Sequence, residues 1–170
     1  LFRGIFKLPA AHILTIDHHG GASARRWWHC APSAKTTFTP DEISESEAVD
    51  ETMRLLKRSI ERRMVSDVPF GLLLSGGVDS SLNVALMSEL MDRPVTTFTI
   101  GYESHEDLNE FHHARRIAER YGTDHHETRI SYRDARDFLP LLVKLQDEPI
   151  ADNVCIPLYF LAKLVRESGT

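Results

Sequence analysis

The feature that most limits how this chain can fold is a glycine-containing junction between an apolar run and a helical pattern. The apolar run, residues 68–74, is typical of a strand buried on both faces, and a helix is predicted over residues 80–91. Between them, Gly76 and Gly77 allow a tight turn that presents main-chain N–H groups beside the positive end of the helix dipole. The junction therefore predicts an anion-binding site at the end of a buried strand.

Polar side chains around the two glycines favour the same interpretation. The hydroxyls of Ser75, Ser80 and Ser81 can donate hydrogen bonds to phosphate oxygens, and the carboxylate of Asp79 can hold a Mg²⁺ ion that bridges them. A Walker loop is excluded because no lysine follows the glycines, and a nucleophile elbow is excluded because Leu73 occupies its glycine position. Taken alone, the junction also allows a plain strand-to-helix turn in which Asp79 or Ser80 caps the helix.

The patterns on both sides of the junction predict the fold class. A helix over residues 49–64, with Ser44 and Glu47 spaced as a capping box, is expected to bury one face. A later helix is expected to kink or split at Pro140, and Gly122 is expected to end another. The other predicted elements are strands over residues 95–100 and 125–130 and helices over residues 110–121 and 156–168. This alternation predicts an α/β fold, a doubly wound and mostly parallel sheet with flanking helices.

The first part of the chain differs in composition from the rest. Short apolar runs at residues 4–8 and 12–16 predict strands that are too short to form a domain alone. From residue 30 to residue 46 the composition changes to Pro, Ser, Thr and charged residues, which is typical of a connector. We therefore predict a domain boundary that separates residues 1–45 from residues 46–170.

Composition excludes several classes of partner. The chain has 20 Lys and Arg against 25 Asp and Glu, a net charge of −5, so no nucleic-acid partner is expected. No apolar run approaches the roughly 18 residues of a spanning helix, so we expect no membrane partner. Cys30 and Cys155 are too few for a disulfide framework, which favours a reducing cytoplasm. Because the chain starts at Leu1 and not at Met, we expect a piece of a longer protein.

Residues 75–80 read Ser-Gly-Gly-Val-Asp-Ser, and this run resembles the pyrophosphate loop of the N-type ATP pyrophosphatases, the PP-loop superfamily. Members of that superfamily adenylate a substrate, release pyrophosphate and let a nitrogen or sulfur nucleophile displace AMP. The resemblance implies ATP and Mg²⁺ as cofactors, with Asp79 as the metal ligand and with Asp79 and Ser80 as the catalytic residues of the loop. It also implies that the β and γ phosphates are gripped by Ser75, Gly76, Gly77, Asp79 and Ser80.

Four further blocks resemble the glutamine-hydrolysing asparagine synthetases, namely residues 66–69, 97–101, 122–127 and 146–152. In that family the residues that line the adenine site correspond to Leu74 and Ile100, with Gly101 directly after Ile100. An apolar slot for a purine at the carboxyl ends of neighbouring strands is physically reasonable, because ligands bind at that edge of such sheets.

An acidic cluster surrounds Pro149 in the last of these blocks. Asp147, Glu148 and Asp152 are held near one another by the stiff proline turn, and we take them as candidates to position a substrate or a metal ion. The alternative is an acidic loop that caps the next helix. The adjacent histidine pairs, residues 112–113 and 125–126, are not expected to chelate one ion because neighbouring side chains point in different directions.

The two ends of the chain also resemble parts of that family. Residues 2–12 and 26–28 look like the closing strands of the amidotransferase domain that hydrolyses glutamine. The family's catalytic cysteine lies at the extreme N-terminus of the full protein, so Cys30 is not expected to be that nucleophile. A second phosphate-binding segment, Ser-Gly-Glu-Gly-x-Asp-Glu, is expected after Thr170. We therefore expect residues 1–170 alone to be inactive.

The resemblance implies an ATP-dependent amide ligase. Such an enzyme adenylates aspartate or a similar carboxylate, releases pyrophosphate and transfers glutamine-derived ammonia to form asparagine. Two alternatives stay open: another PP-loop enzyme that thiolates tRNA or aminates a nucleotide, and a non-catalytic nucleotide-binding relative. Whether the protein forms a homodimer also stays open.

Overall fold

The computed structural model describes residues 3–29, 38–39, 41–104, 109–150 and 152–170. Cys30, Ala151 and most of the predicted connector lie outside the described residues. The chain divides into two compact units, Leu1–Ala48 and Val49–Thr170. No helix of the described residues is long and apolar enough to span a membrane.

The first unit contains an antiparallel hairpin of β1 (His12–Ile16) and β2 (Ala22–Arg26). Its turn is closed by Asp17, whose Oδ1 accepts hydrogen bonds from the N–H groups of His19 and Gly21, both at 2.8 Å. The strand predicted at residues 4–8 is wrong, since that segment is irregular and no described strand pairs with it. An apolar run forms a strand only where a neighbouring edge accepts its main-chain hydrogen bonds.

The remaining elements alternate between helices and strands, as predicted. The strands form one parallel sheet in the order β3-β4-β5, with β4 in the centre. This arrangement confirms the α/β class with a parallel sheet and flanking helices. The elements are α1 (Glu45–Arg63), β3 (Gly71–Leu73), α2 (Val78–Leu90), β4 (Thr96–Tyr102), α3 (Phe111–Tyr121), β5 (Asp124–Ile130), α4 (Tyr132–Leu145) and α5 (Cys155–Glu167).

β4 is buried more deeply than β3. Thr97, Phe98 and Thr99 are buried, so β4 is the strand that is covered on both faces. The strand predicted over residues 68–74 is shorter and more open than expected: β3 has three residues, and Leu73 is 48% exposed. The reason is position, because β3 is an edge strand with one neighbour in the described sheet.

Helix α1 has the predicted start but not the predicted burial. Its capping box is confirmed: the Ser44 N–H donates to Glu47 Oε2 at 2.9 Å, and the Glu47 N–H donates to Ser44 Oγ at 3.3 Å. The expectation of a buried face is wrong, because no residue of the helix is fully buried. Leu56 and Ile60 instead line an apolar cavity of about 250 Å³ that leaves this face half-covered.

Two further predictions concern helix ends and breaks. Gly122 ends α3 in the left-handed conformation with φ 61°, as expected. Of the kink or split expected at Pro140, the split is wrong, because α4 continues as one helix through this residue. A proline removes one main-chain hydrogen bond, and two features offset that loss here: a capping box formed by Ser131 with Asp134, and a stack of Phe138 on Tyr159 with ring centroids 4.0 Å apart.

Candidate functional site

The junction between β3 and α2 lies at the carboxyl edge of the sheet and packs against the first turn of α3. Gly76 has φ +82°, and a Cβ atom there would lie 2.5 Å from His113 Cβ and 2.8 Å from the main-chain N of Ala114. Any side chain would therefore be strained by its backbone and would also collide with α3. Only glycine fits this position.

The start of α2 offers main-chain N–H groups without a side-chain cap. Its N-cap residue is Gly77, and no side chain caps the first turn by accepting a hydrogen bond from its N–H groups. The alternative in which Asp79 or Ser80 caps the helix is therefore wrong. Within the described residues, the N–H groups of Val78, Asp79 and Ser80 have no hydrogen-bond acceptor. An uncapped helix start combines free donors with the positive end of the dipole, which favours an anion.

Two serine hydroxyls hold the junction in its shape. Ser75 Oγ lies 3.0 Å from Ser80 Oγ and accepts a hydrogen bond from the Gly77 N–H at 3.3 Å. Ser80 Oγ in turn donates to the carbonyl of Gly77 at 3.1 Å. These bonds tie both ends of the turn together, so the main-chain donors are preorganised before any ligand arrives.

The structure separates the other two predicted loop side chains. The carboxylate of Asp79 is exposed and makes no hydrogen bond or ion pair with the described residues. The hydroxyl of Ser81 is buried and has no hydrogen-bond partner among them. Asp79 is therefore accessible to a metal ion, whereas Ser81 is not placed on the open side of the junction.

A cavity of about 460 Å³ opens beside the junction. Leu74, Ser75 and Ile100 all line it, so the structure brings the two predicted adenine-site residues to the same place as the loop. Gly101 does not line the cavity. A Cβ atom on Gly101 would lie 2.6 Å from Asn109 Oδ1 and would collide with the Phe111 ring, so this glycine permits close packing behind the cavity wall.

One edge of β4 is open where it meets this cavity. Alternate residues of a central strand direct their main-chain groups to opposite neighbours. The Phe98 carbonyl accepts the last bond from β3, the Leu74 N–H at 2.8 Å, whereas the Glu103 N–H donates to Ile130 of β5 at 3.1 Å. Ile100, two residues after Phe98, therefore directs its N–H and C=O toward the cavity, where β3 has already ended.

Several cavity residues were not predicted from the sequence. Asn109 and Glu110 directly precede α3, and apolar residues at the start of α5 form another wall. The period of α5 indicates an apolar face but not which element it covers, and a single Asn carries no spacing signal. The unpredicted lining residues are Leu73, Phe98, Thr99, Tyr102, Asn109, Glu110, Val154, Pro157, Leu158 and Leu161.

The acidic cluster lies apart from this cavity. None of Asp147, Glu148 and Asp152 lines it. Asp152 Oδ1 accepts a hydrogen bond from the N–H of Val154, the N-cap residue of α5, at 3.0 Å, but no side chain caps the first turn of this helix. Among the residues with a described placement, no group of three or more His, Cys, Asp or Glu side chains is arranged to hold a metal ion.

A second polar cluster near the amino ends of β4 and β5 is closed by its own hydrogen bonds. The buried Thr97 Oγ1 lies 2.9 Å from Thr123 Oγ1 and 2.8 Å from His125 Nδ1. His125 Nε2 lies 3.2 Å from Glu127, which also pairs with Arg115 at 2.6 Å. Burial raises the pKa of Glu127, but Arg115 and His125 outweigh it and lower the pKa overall.

Comparisons with known proteins cover most of the chain. A family model described as asparagine synthase matches residues 51–170. The asparagine synthetase [glutamine-hydrolyzing] 1 of Bacillus subtilis is 35% identical over 80% of this chain and 21% of that protein. A putative asparagine synthetase [glutamine-hydrolyzing] of Mycobacterium bovis is 36% identical over 98% of this chain and 25% of that protein.

Two more comparisons concern a third curated relative and a solved structure. The putative asparagine synthetase [glutamine-hydrolyzing] 2 of Methanocaldococcus jannaschii is 29% identical over 100% of this chain and 32% of that protein. Among solved structures, NH3-dependent NAD synthetase from Campylobacter jejuni has a TM-score of 0.43 at 14% identity, over 75% of this chain and 55% of that chain. The chain spans between 21% and 32% of the length of the three curated relatives.

Proposed function

The chain belongs to the asparagine synthase family, and from this we propose that it forms the nucleotide-binding part of an ATP-dependent amide ligase. In this proposal the full-length protein adenylates aspartate or a similar carboxylate, releases pyrophosphate and transfers glutamine-derived ammonia to form asparagine. The observation that carries the proposal is the uncapped start of α2 behind Gly76, beside the cavity that Leu74 and Ile100 line.

The junction fits a triphosphate by the chemistry of its donors. The N–H groups of Val78, Asp79 and Ser80 have no protein acceptor within the described residues, and the Ser75–Ser80 contact fixes the turn that presents them. As a pyrophosphate departs, negative charge grows on its oxygens, and fixed donors stabilise that charge without having to reorient. A single preorganised donor is commonly worth about 3 kcal/mol of transition-state stabilisation.

The cavity fits the base of the same nucleotide. Its walls at Leu74 and Ile100 are apolar, and the Ile100 main chain adds one N–H donor and one C=O acceptor at the open edge of β4. Adenine carries a matching pair on one edge, an acceptor nitrogen beside an amino group. About 460 Å³ is within the size range of small-molecule sites.

The residues present also fit Mg²⁺ carried by the nucleotide. Asp79 supplies one accessible carboxylate, and Mg²⁺ at phosphate sites is usually held by one or two carboxylates together with phosphate oxygens and water. When bound, the ion would supply positive charge next to the phosphate oxygens. In the proposal Asp79 holds the ion, Ser80 contributes to phosphate binding, and the loop donors orient the chain of phosphates.

The remaining parts of the proposal concern the rest of the protein. We assign residues 1–45 to the end of a glutamine amidotransferase domain and residues 46–170 to the ATP-binding domain. We keep Asp147, Glu148 and Asp152, which precede α5 in the chain, as candidates for contact with the acceptor substrate. We propose that the reaction takes place in the cytoplasm, and the proposal leaves open whether the protein forms a homodimer.

The experiment uses the full-length protein that contains residues 1–170. It measures AMP and pyrophosphate release from ATP with aspartate, with other carboxylic acids, and with no acceptor. The proposal expects release only with the right carboxylate. Asp79→Ala is expected to lower turnover by at least about 100-fold, because the metal loses its protein ligand. Asp92→Ala, which removes an exposed aspartate beyond the end of α2, is the matched control and is expected to keep full turnover.

The controls separate the proposal from its rivals. Unchanged turnover in Asp79→Ala would remove this residue from the metal site. ATP cleavage that depends on tRNA or a nucleotide, with no carboxylate response, would replace the amide ligase with another PP-loop enzyme. ATP binding without any cleavage under all conditions would support the non-catalytic relative.

A further inference from the structure

The side chain of Asn109 takes the place of a strand at the end of β4. Its Oδ1 accepts a hydrogen bond from the Tyr102 N–H at 2.6 Å, and its Nδ2 donates to the Tyr102 carbonyl at 2.7 Å. The residue is 7% exposed, and it lines the same cavity as Ile100. One amide side chain thus satisfies both main-chain groups that a neighbouring strand would otherwise pair.

The position of Tyr102 along β4 determines which main-chain groups the Asn109 contact leaves unpaired. Phe98, Ile100 and Tyr102 direct their main-chain groups to the same side of the strand. Phe98 is paired by the last bond from β3, and Tyr102 is paired by Asn109. Within the described residues, Ile100 is the one of these three whose N–H and C=O are unpaired and directed into the cavity.

Close packing holds Asn109 in this position. Its Oδ1 occupies space that a Cβ atom on Gly101 would need, and the ring of Phe111 fills the adjoining space. A side chain confined in this way loses little further entropy when it pairs with the strand. The end of β4 is therefore kept extended by a fixed group and not by a mobile one.

We propose that Asn109 is a positioning residue for base selection: by pairing with Tyr102 it holds the N–H and C=O of Ile100 in the geometry that matches adenine. This inference rests on the proposed function, because it needs a nucleotide in the cavity. In this proposal Asn109 acts through its hydrogen bonds to Tyr102 and not through contact with the base. Adenine presents an acceptor nitrogen beside an amino donor, whereas guanine presents the reverse pair, so a correctly held Ile100 favours ATP over GTP.

The test measures dissociation constants for ATP and GTP by calorimetry on the full-length protein. Asn109→Leu removes both hydrogen bonds, and Asn109→Asp keeps the acceptor but opposes an oxygen to the Tyr102 carbonyl. Each variant is expected to weaken ATP binding by about tenfold, to change GTP binding much less, and so to reduce the ATP preference by a similar factor. Asn83→Asp, the same change at an exposed position on α2 outside this cavity, is expected to keep the wild-type preference.

The ratio of the two affinities separates positioning from a structural role. A loss of fold would reduce the fraction of binding-competent protein for both nucleotides and leave the ratio unchanged, and thermal unfolding of each variant is measured alongside. An unchanged ATP-to-GTP ratio in both folded Asn109 variants overturns the inference while wild-type ATP binding still supports the proposed function. A wild-type protein that binds neither nucleotide overturns the proposed function and this inference with it.

Discussion

The two polar regions of the sheet differ in what satisfies their hydrogen bonds. At the amino ends of β4 and β5, the polar side chains hydrogen-bond to one another; they belong to Thr97, Thr123, His125 and Glu127. At the carboxyl edge, the first turn of α2 and the main chain of Ile100 are left without partners among the described residues. Satisfied buried groups hold a fold together, whereas fixed but unsatisfied groups are available to a ligand. The first region should therefore govern stability and the second region binding.

The largest expected effect comes from the region at the carboxyl edge of the sheet, whose main-chain groups are unpaired. Gly76→Ala places a side chain at φ +82° and against His113 and Ala114, so the turn must shift and its N–H donors lose their alignment. We expect ATP affinity to fall by more than about tenfold and the free energy of unfolding to fall by roughly 2 kcal/mol. Calorimetry and urea unfolding of the full-length protein measure the two quantities.

Gly122→Ala is the matched control for that variant. Gly122 also has a positive φ, +61°, but apart from its chain neighbours no atom of the described residues lies within 4 Å of its added Cβ. It should lose about 1 kcal/mol of stability from backbone strain alone and keep its ATP affinity. Equal affinity losses in both variants would mean that the close approach to α3 does not shape the site.

The next effect comes from the region at the amino ends of β4 and β5, whose side chains are hydrogen-bonded to one another. Thr97→Val keeps the side-chain shape but leaves Thr123 and His125 without their shared oxygen, which should cost about 1–3 kcal/mol of unfolding free energy. ATP affinity should not change. Thr128→Val, on β5, is the control, because the hydroxyl of Thr128 bonds to none of the described residues. A fall in ATP affinity in Thr97→Val would contradict the claim that one region governs stability and the other governs binding.

The smallest effect is a pH dependence of the free energy of unfolding, which arises from Glu127 in the same region at the amino ends of β4 and β5. The pKa of Glu127 is lowered in the folded state, so its contribution to stability is full above the ordinary carboxylate pKa and is lost as pH falls from there through the lowered folded-state pKa. Between pH 7 and pH 4, wild type should lose more unfolding free energy than Glu127→Gln. Urea titrations at both pH values measure the difference, and parallel losses in the two proteins would contradict the assignment.

Sequence patterns predicted the features that depend on local chemistry. The capping box of Ser44 and Glu47, the left-handed end at Gly122 and the turn at Gly76 each follow from a short motif whose physics acts within a few residues. The α/β class and the meeting of Leu74 with Ile100 followed from the alternation of elements and from family resemblance.

Features that depend on tertiary neighbours were not predictable from the same patterns. The residues before Leu74 have the pattern of a strand covered on both faces, yet β3 is an edge strand because, among the described strands, β4 alone pairs with it. The role of Asn109 depends on where β3 stops relative to β4, which no spacing encodes. Gly101 matched a motif of the nucleotide site, but its neighbours show that it makes room for Phe111 and Asn109.

Hydrogen–deuterium exchange of the full-length protein, with and without Mg²⁺ and ATP, tests the central claim most directly. The account predicts slower exchange on ATP addition in peptides that cover residues 75–80 and residue 100. Peptides that cover residues 123–128 should exchange at the same rate in both conditions. ATP binding that is measurable by calorimetry but leaves exchange at residues 75–80 unchanged would contradict the claim that this junction holds the triphosphate.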